Sequence, residues 1–525
     1  MKHILQLILA ACLCATVATA QTAEDQKELE MAVRKLVTTH MAIKALYIDT
    51  TNAAKLTDEA IKAMLAQLDP HSSYSNAEET KKFTEPLNSN FEGIGVQFNI
   101  LNDTLIVVQT VSKGPSEKAG ILAGDRIVAV NDTTIAGVKM SREDIMKKLR
   151  GPKGTTARLS IIRRSVGEPI IFKVVRDKIP LHSVDAAYML TPTIGIIRLS
   201  NFALTTHQEV REAIQKLKKQ HMKSLILDLQ QNGGGYLDAA NGVASEFLEK
   251  DALVVYTDGR SVPRQTLKAI GNGLFTEGKL AVLVDESSAS AAEIVSGAIQ
   301  DHDRGIIIGR RTFGKGLVQR PVELPDGSMI RLTVSHYYTP SGRCIQKPYE
   351  KGKKDNYDGD LMNRYNSGEL MHQDSIHFVD SLKYQTLNQK RTVYGGGGIM
   401  PDYFVPLDTT VYTKLYRDLS RKNIILDTYL SYFDKHRSEF KSKYKNFDRF
   451  KKDFEVPAEL TDSIISQGKR KNAVAADDTE LQQTLVSLRR TLKALTARDL
   501  WDMSEYFAII NEDNDMIKKA IELLQ

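Results

Sequence analysis

The chain has 525 residues, room for three or four domains at about 150 residues each. Hydrophobic residues make up 42% and charged residues 26%, which excludes a disordered or fibrous chain. The formal charge of +6 is concentrated in a Lys-rich C-terminal third with no polybasic tail, so no nucleic-acid partner is expected.

In chain order, Met1-Lys2-His3 is a short basic start, Ile4 to Val17 is apolar, and Ala18-Thr19-Ala20 fits an A-x-A cleavage site. This pattern predicts a signal peptide over 1–20, a mature chain from Gln21, and export to the periplasm. Leu9-Ala10-Ala11-Cys12 offers an alternative, a lipoprotein box that would anchor the protein at Cys12. Cys12 and Cys14 both lie in the leader, so Cys344 stands alone in the mature chain and no internal disulfide is expected. No later apolar run approaches the ~20 residues that span a bilayer.

Residues 21–88 have helical spacing (Leu29, Val33, Leu36, Val37; then Ile61, Met64, Leu65, Leu68) and include the turn signal Asp69-Pro70-His71. Residues 89–178 change to short β-type runs between glycine turns, a compact β-rich module. Over 179–347 strands and helices alternate, which predicts an α/β layer with largely parallel strands, resumed at 395–410. Between them, 348–394 read as a polar insert. Residues 411–525 look helical, with Phe440, Tyr444, Phe447 and Phe454 on one stripe of an amphipathic helix.

Ligands of open α/β sheets bind beyond the carboxyl ends of the strands, and three such loops stand out. Asp285-Glu286-Ser287-Ser288-Ala289-Ser290-Ala291-Ala292-Glu293 runs from a buried strand into a helix. Taken alone, Ser290-x-x-Glu293 reads first as a capping box and second as a nucleophile on a sharp turn. Asp228 to Gly235 ends in Gly233-Gly234-Gly235, which suits either a tight turn or backbone N–H groups aimed at an oxyanion. The loop Thr312-Phe313-Gly314-Lys315-Gly316 holds a glycine-flanked lysine, either a surface turn or a base made neutral by burial. There is no G-x-S-x-G, no H-E-x-x-H and no Cys/His metal cluster. His302 could serve as a base in a Ser-His-Asp scheme, but it lies ~18 Å along the helix that starts at Ser290.

Together these loops resemble the carboxy-terminal processing, or tail-specific, serine proteases. The resemblance covers most of 60–345 and resumes around 395–406. It includes Leu68-Asp69-Pro70-His71-Ser72-Ser73-Tyr74, Phe91-Glu92-Gly93-Ile94-Gly95-Val96, Gly124-Asp125-Arg126-Ile127 and the three loops above. Tyr338-Thr339-Pro340-Ser341-Gly342-Arg343 and Gly398-Ile399-Met400-Pro401-Asp402 complete it. The resemblance implies a multidomain α+β chain. Its α/β serine protease core would be of the ClpP/crotonase-like kind, with an inserted PDZ-like domain and helical N- and C-terminal segments.

Carried over residue by residue, the resemblance makes Ser290 the nucleophile, Lys315 the general base, and Gln319 the residue that steadies the lysine. Glu293 becomes an orienting residue, and the backbone N–H groups of Gly234 and Ala291 the oxyanion hole. Gly93, Ile94, Gly95 and Val96 would bind a substrate's C-terminal carboxylate, and Ser287 and Ser288 become the helix caps. The implied partners are protein or peptide substrates engaged by their C-termini, a homo-oligomer partner and a regulatory adaptor; no metal or cofactor is implied. Gln230, Gly233 and Ala292 depart from the family's usual Arg, Pro and Ser, and the first two put the rigidity of the glycine loop in question. The alternative is a peptide-binding scaffold or chaperone of the same fold with impaired catalysis.

Overall fold

The computed structural model describes residues 23–525 except 164, 165, 167 and 378. The signal peptide over 1–20 and the anchor at Cys12 therefore lie outside the described residues. The centre of the molecule is a six-stranded sheet: β1 (Val184–Met189), β2 (Ile194–Leu199), β3 (Ser224–Asp228), β4 (Lys279–Val284), β5 (Ile306–Gly309) and β6 (Tyr403–Phe404), in that spatial order. β1 pairs with β2 antiparallel, and every later pair is parallel. Strands buried on both faces read as near-continuous apolar runs, and the alternate residues divide between two cores. Ile197, Leu227, Val282 and Ile307 face one side, while Ile196, Ile226, Leu283 and Ile308 face the other.

Helices α1 (Thr206–Lys219), α2 (Leu237–Ser245) and α3 (Ala291–Asp301) connect successive strands and cover the first face. α1 buries Thr206, Val210, Ala213, Ile214 and Leu217, a single stripe at helical spacing. All eleven residues of α3 are buried, as its small side chains permit. A Cβ on Gly297 would lie 2.9 Å from Thr339 Cγ2, which shows how closely a neighbouring loop approaches this helix. The second face is closed by the last helix, α4 (Asp515–Leu524), through Met516, Ile517, Ala520 and Leu524.

Beside this core an antiparallel sheet carries the long strand Met329–Tyr338, paired with Leu317–Glu323 on one side. Ser73–Ser75 and Leu253–Asp258 also pair with Met329–Tyr338. The β-rich module leaves and rejoins the core through the antiparallel pair Asn90–Gly93 and Asp177–Pro180. Its five main strands run from the edge strand Val96–Leu101 to Ile170–Val175, and Leu105, Ile127, Leu159 and Ile145 fill its own core.

The C-terminal helices build a fourth core from Leu419, Tyr429, Phe433, Phe450, Leu488 and Leu492, among others. The aromatic stripe predicted there is not one helix. Helix Ile424–Lys443 stops, and Asn446 caps a new helix, Phe447–Asp453, by accepting from Arg449 N–H. Phe440, Tyr444 and Phe454 meet across that break, with Tyr444 and Phe454 centroids 5.6 Å apart. Among the described residues, no helix is long and apolar enough to cross a membrane.

Candidate active site

β4 ends at Val284, and the turn that follows is knitted to the end of β3. Asp285 Oδ1 accepts from the N–H groups of Gln231, Ser287 and Ser288. Ser288 Oγ accepts from Asp285 N–H and donates to Leu229 O (2.8 Å). Ser288 thus ties two strand ends together, Ser287 N–H closes the local turn on Asp285, and the N-cap position of α3 falls to Ser290 instead of to either. Ser290 is the N-cap residue of α3 and has φ +55°, ψ −113°. A non-glycine residue in such a region costs about 1–3 kcal/mol and needs surroundings that hold it there. Ser290 is half-buried.

The glycine loop closes one side of Ser290. Gly234 has φ +97°, and a Cβ built on it would lie 2.8 Å from both Ser290 Cβ and Ala289 O. Gly234→Ala is therefore expected to push the Ser290 turn aside and lower kcat by about 100-fold or more. Circular dichroism identical to wild type with unchanged kcat would refute that tight fit. The loop's order comes from Asn232, which is fully buried. Its Nδ2 donates to Leu199 O (3.0 Å), and its backbone O accepts from Ala289 N–H (2.9 Å). Gly234 N–H donates to Asn232 Oδ1 (2.9 Å), a local turn bond, so in this conformation it is committed within the loop. Gln230, one of the two departures within this loop, donates from both its N–H and Nε2 to Asp228 Oδ1 (3.0 Å each). The other departure, Gly233, contributes no such tie.

The Lys315 loop follows β5 and reaches Ser290 through Glu293, whose side chain is fully buried. Glu293 Oε2 accepts from the backbone N–H groups of Ser290 (2.8 Å) and Lys315 (2.9 Å). Oε1 accepts from Gly314 N–H (2.7 Å) and Thr312 Oγ1 (2.6 Å). One carboxylate therefore holds the serine turn and the lysine loop together. Burial pushes its pKa up to about 7, against the pull of these four donors. From the other side, Tyr337 OH lies 2.5 Å from Lys315 O and 3.2 Å from Ser290 O.

Burial lowers the Lys315 pKa below its ordinary 10.5, and the Arg331 guanidinium adds to the effect, while Glu293 and Asp69 oppose it. Gln319 Nε2 donates to Thr333 Oγ1 (3.1 Å), which donates to Asp69 Oδ1 (2.8 Å). Gln319 is thus bound to the Asp69 turn in this conformation. His71 of that turn is within hydrogen-bonding distance of Tyr357 OH at 2.9 Å, and burial holds it neutral with a pKa of about 3.

Tyr357 belongs to the 348–394 insert, whose part in the site is now visible. Arg364 donates to the carbonyls of Arg311 (2.6 Å) and Thr312 (3.2 Å), bracing the lysine loop from outside. Asn232 lies inside the glycine loop but nothing in that motif singles it out, and Tyr337, Thr333 and Arg364 carry no motif of their own in the sequence. His302 caps the far end of α3 and bonds Leu253 O (2.7 Å), one helix length from Ser290. Cys344 is a free thiol whose pKa burial raises.

The residues Gly93, Ile94, Gly95 and Val96 lie in the β-rich module. Ile94 O accepts from Ser116 N–H (3.0 Å) and Oγ (2.7 Å), and Gly95 has φ +73°. Ile94, Gly95 and Val96 line a groove of about 420 Å³ between the edge strand Val96–Leu101 and the helix Arg142–Leu149.

Comparison with known proteins agrees with this layout. Residues 193–355 match the model of peptidase family S41, residues 93–177 that of the PDZ domain, and 415–502 that of a family of unknown function (DUF8443). The carboxy-terminal-processing protease of Bartonella bacilliformis is 37% identical over 308 residues, 58% of this chain and 70% of that protein. The carboxy-terminal processing protease CtpA of Bacillus subtilis is 35% identical over 60% of this chain and 66% of its own length. CtpB of the same organism is 31% identical over 63% and 69%. With an α/β core, an inserted PDZ domain and relatives this similar, the chain belongs to the carboxy-terminal processing proteases of peptidase family S41 and is a serine-type peptidase.

Proposed function

We propose that the protein is an exported endopeptidase in which a Ser290–Lys315 dyad hydrolyses peptide bonds through an acyl-enzyme. The observation that carries this reading is the Glu293 carboxylate, which gathers the backbone of both residues onto one oxygen while Lys315 is half-buried and its cation disfavoured by desolvation. A neutral Lys315 amine takes the Ser290 hydroxyl proton as Oγ bonds to the substrate carbonyl carbon. The resulting oxyanion meets the N-terminus of α3, where Ala291 N–H is one proposed donor. Gly234 N–H is the second, exchanging Asn232 Oδ1 for the substrate oxygen.

The C–N bond then breaks and the Lys315 ammonium gives its proton to the leaving amine. Water attacks the ester, Lys315 takes a water proton, and the C–Oγ bond breaks with return of a proton to Ser290. In this reading Gln319 leaves Thr333 to steady Lys315 when substrate is bound.

Substrate selection is assigned to the PDZ domain. The free edge of Val96–Leu101 accepts an extended peptide as an added strand, and the backbone at Gly93 to Val96 receives its terminal carboxylate. The test is cleavage of one unfolded peptide with either a free or an amidated C-terminus. The free acid is expected to be cleaved about tenfold or more faster at low concentration, and equal rates would remove the carboxylate from recognition.

Export to the periplasm, with lipid anchoring at Cys12 as the alternative, rests on the N-terminal sequence. A homo-oligomer is supported by the helix Ala23–Leu46, exposed along its length with Leu29 58%, Leu36 52% and Met41 63% accessible. A regulatory adaptor remains part of the proposal.

A further inference from the structure

The groove beside Val96–Leu101 is not built by the PDZ domain alone. Its wall includes Arg498 and Met503, which flank the corner between the helices Asp478–Leu500 and Met503–Ile510 of the C-terminal unit. That unit is fixed to the PDZ domain by the ion pair of Arg126 with Asp434 (2.6 Å) and by Arg437 donating to Val108 O (3.4 Å). The corner is therefore held at the groove.

Charge on the groove wall has one sign. Among the described residues Arg142, Arg150 and Arg498 line it, and no acidic side chain does. Arg150 is committed, paired with Glu85 (2.5 Å) and lying over the Phe91 ring. Arg142 lies over the Phe98 ring and donates to Phe98 O (3.3 Å); among the described residues it has no carboxylate partner. Arg498 Nε donates to Asp499 Oδ1 (2.7 Å), but its Nη2 is buried without an acceptor. The guanidinium is under-satisfied at Nη2, and the 27% of the Arg498 side chain left exposed at the groove wall favours an anion beside it. Met503 adds a flexible apolar surface that can adapt to different neighbouring side chains.

We propose that the C-terminal unit completes the peptide groove and that Arg498 makes it selective for C-terminal segments bearing an acidic side chain in addition to the terminal carboxylate. This rests on the reading of the PDZ groove as the C-terminus site. Arg142 and Arg498 supply the cationic environment, and Met146, Leu149 and Met503 the apolar contacts for neighbouring residues.

The test uses the full chain carrying Ser290→Ala, so that peptides bind without being cut. Fluorescence anisotropy is measured with fluorescein-labelled ten-residue peptides of one sequence ending in Val. In them a single Gln at the second, third or fourth position from the end is replaced by Glu. A further peptide has an amidated end. The best Glu peptide is expected to bind about tenfold tighter than its Gln parent, and Arg498→Gln to erase most of that gap while Arg498→Lys keeps part of it. Met503→Glu, a change that leaves Arg498 and Asp499 in place, is expected to reverse the preference. Equal binding of Glu and Gln peptides overturns the proposal, as does a gap that survives both Arg498→Gln and Met503→Glu. Failure of every free-acid peptide to bind, or equal binding of the amidated one, overturns the underlying reading of the groove instead.

Discussion

Lys315→Arg is expected to abolish cleavage as completely as Ser290→Ala. The substitution keeps the charge and most of the length, so a lysine needed only as a cation would tolerate it. A guanidinium stays protonated at any workable pH and cannot take the serine proton. The loss expected for either variant is on the order of 10⁴-fold or more in kcat, because in the proposed mechanism both act on the same proton transfer and the double variant adds little.

The pH profile gives an independent check. Desolvation of the half-buried Lys315 lowers its pKa, with Arg331 adding to the effect, so kcat/KM should rise with pH as the neutral amine accumulates and level off below 10.5. The same shift has a stability counterpart: the native state sheds this proton before the unfolded chain does. This lysine's burial therefore destabilises most at low pH, and the penalty shrinks as pH rises toward 10.5. A Lys315→Arg enzyme with more than a few per cent of wild-type kcat would exclude a proton-accepting role for the lysine.

The Ser290 turn and the Lys315 loop stand out in the sequence because their signals are local. Three glycines after a strand and a glycine-flanked lysine each mark a place where backbone must come close to something. The alternation of Ile and Val runs with amphipathic stripes likewise fixed an α/β core with a β-rich insertion, as the sheet and the PDZ match show. What joins the loops was not local. Glu293 looks like half of a capping box in sequence, and its Oε2 does accept Ser290 N–H.

Its other three donors come from Thr312, Gly314 and Lys315, which reach it only because β4 and β5 pair in parallel. The same holds for Asn232, whose side chain spans from β2 to the glycine loop. Likewise α4 reads as amphipathic at Met516, Ile517, Ala520 and Leu524, but nothing local says that its partner is the back of a sheet beginning more than three hundred residues earlier. The aromatic stripe failed for the opposite reason. Helical spacing reads straight through Asn446, whose capping bond starts a second helix.

Glu293 carries the second large prediction. Glu293→Ala removes the acceptor of four donors, three of them backbone N–H groups of Ser290, Gly314 and Lys315. Each buried donor left unmet costs about 1–3 kcal/mol, so even with partial relaxation the core should lose about 3 kcal/mol or more. A lower denaturant midpoint would record it. Glu293→Gln keeps the volume but turns one acceptor into a donor facing two donors, so kcat should fall with a smaller loss of stability.

Two pH effects separate this positioning role from simple damage. The carboxylate raises the Lys315 pKa, so removing its charge should move the acid limb of kcat/KM to lower pH while the plateau drops. The Glu293 pKa is pushed from 4.5 to about 7, so the native state holds this proton more tightly than the unfolded chain. Its contribution is therefore fully present below about pH 4.5 and is lost as pH rises through about 7, a slope that Glu293→Gln should flatten. An unshifted acid limb in Glu293→Gln would mean that the carboxylate does not act on the base. Wild-type kcat in the same variant would mean that it does not hold the two loops in register.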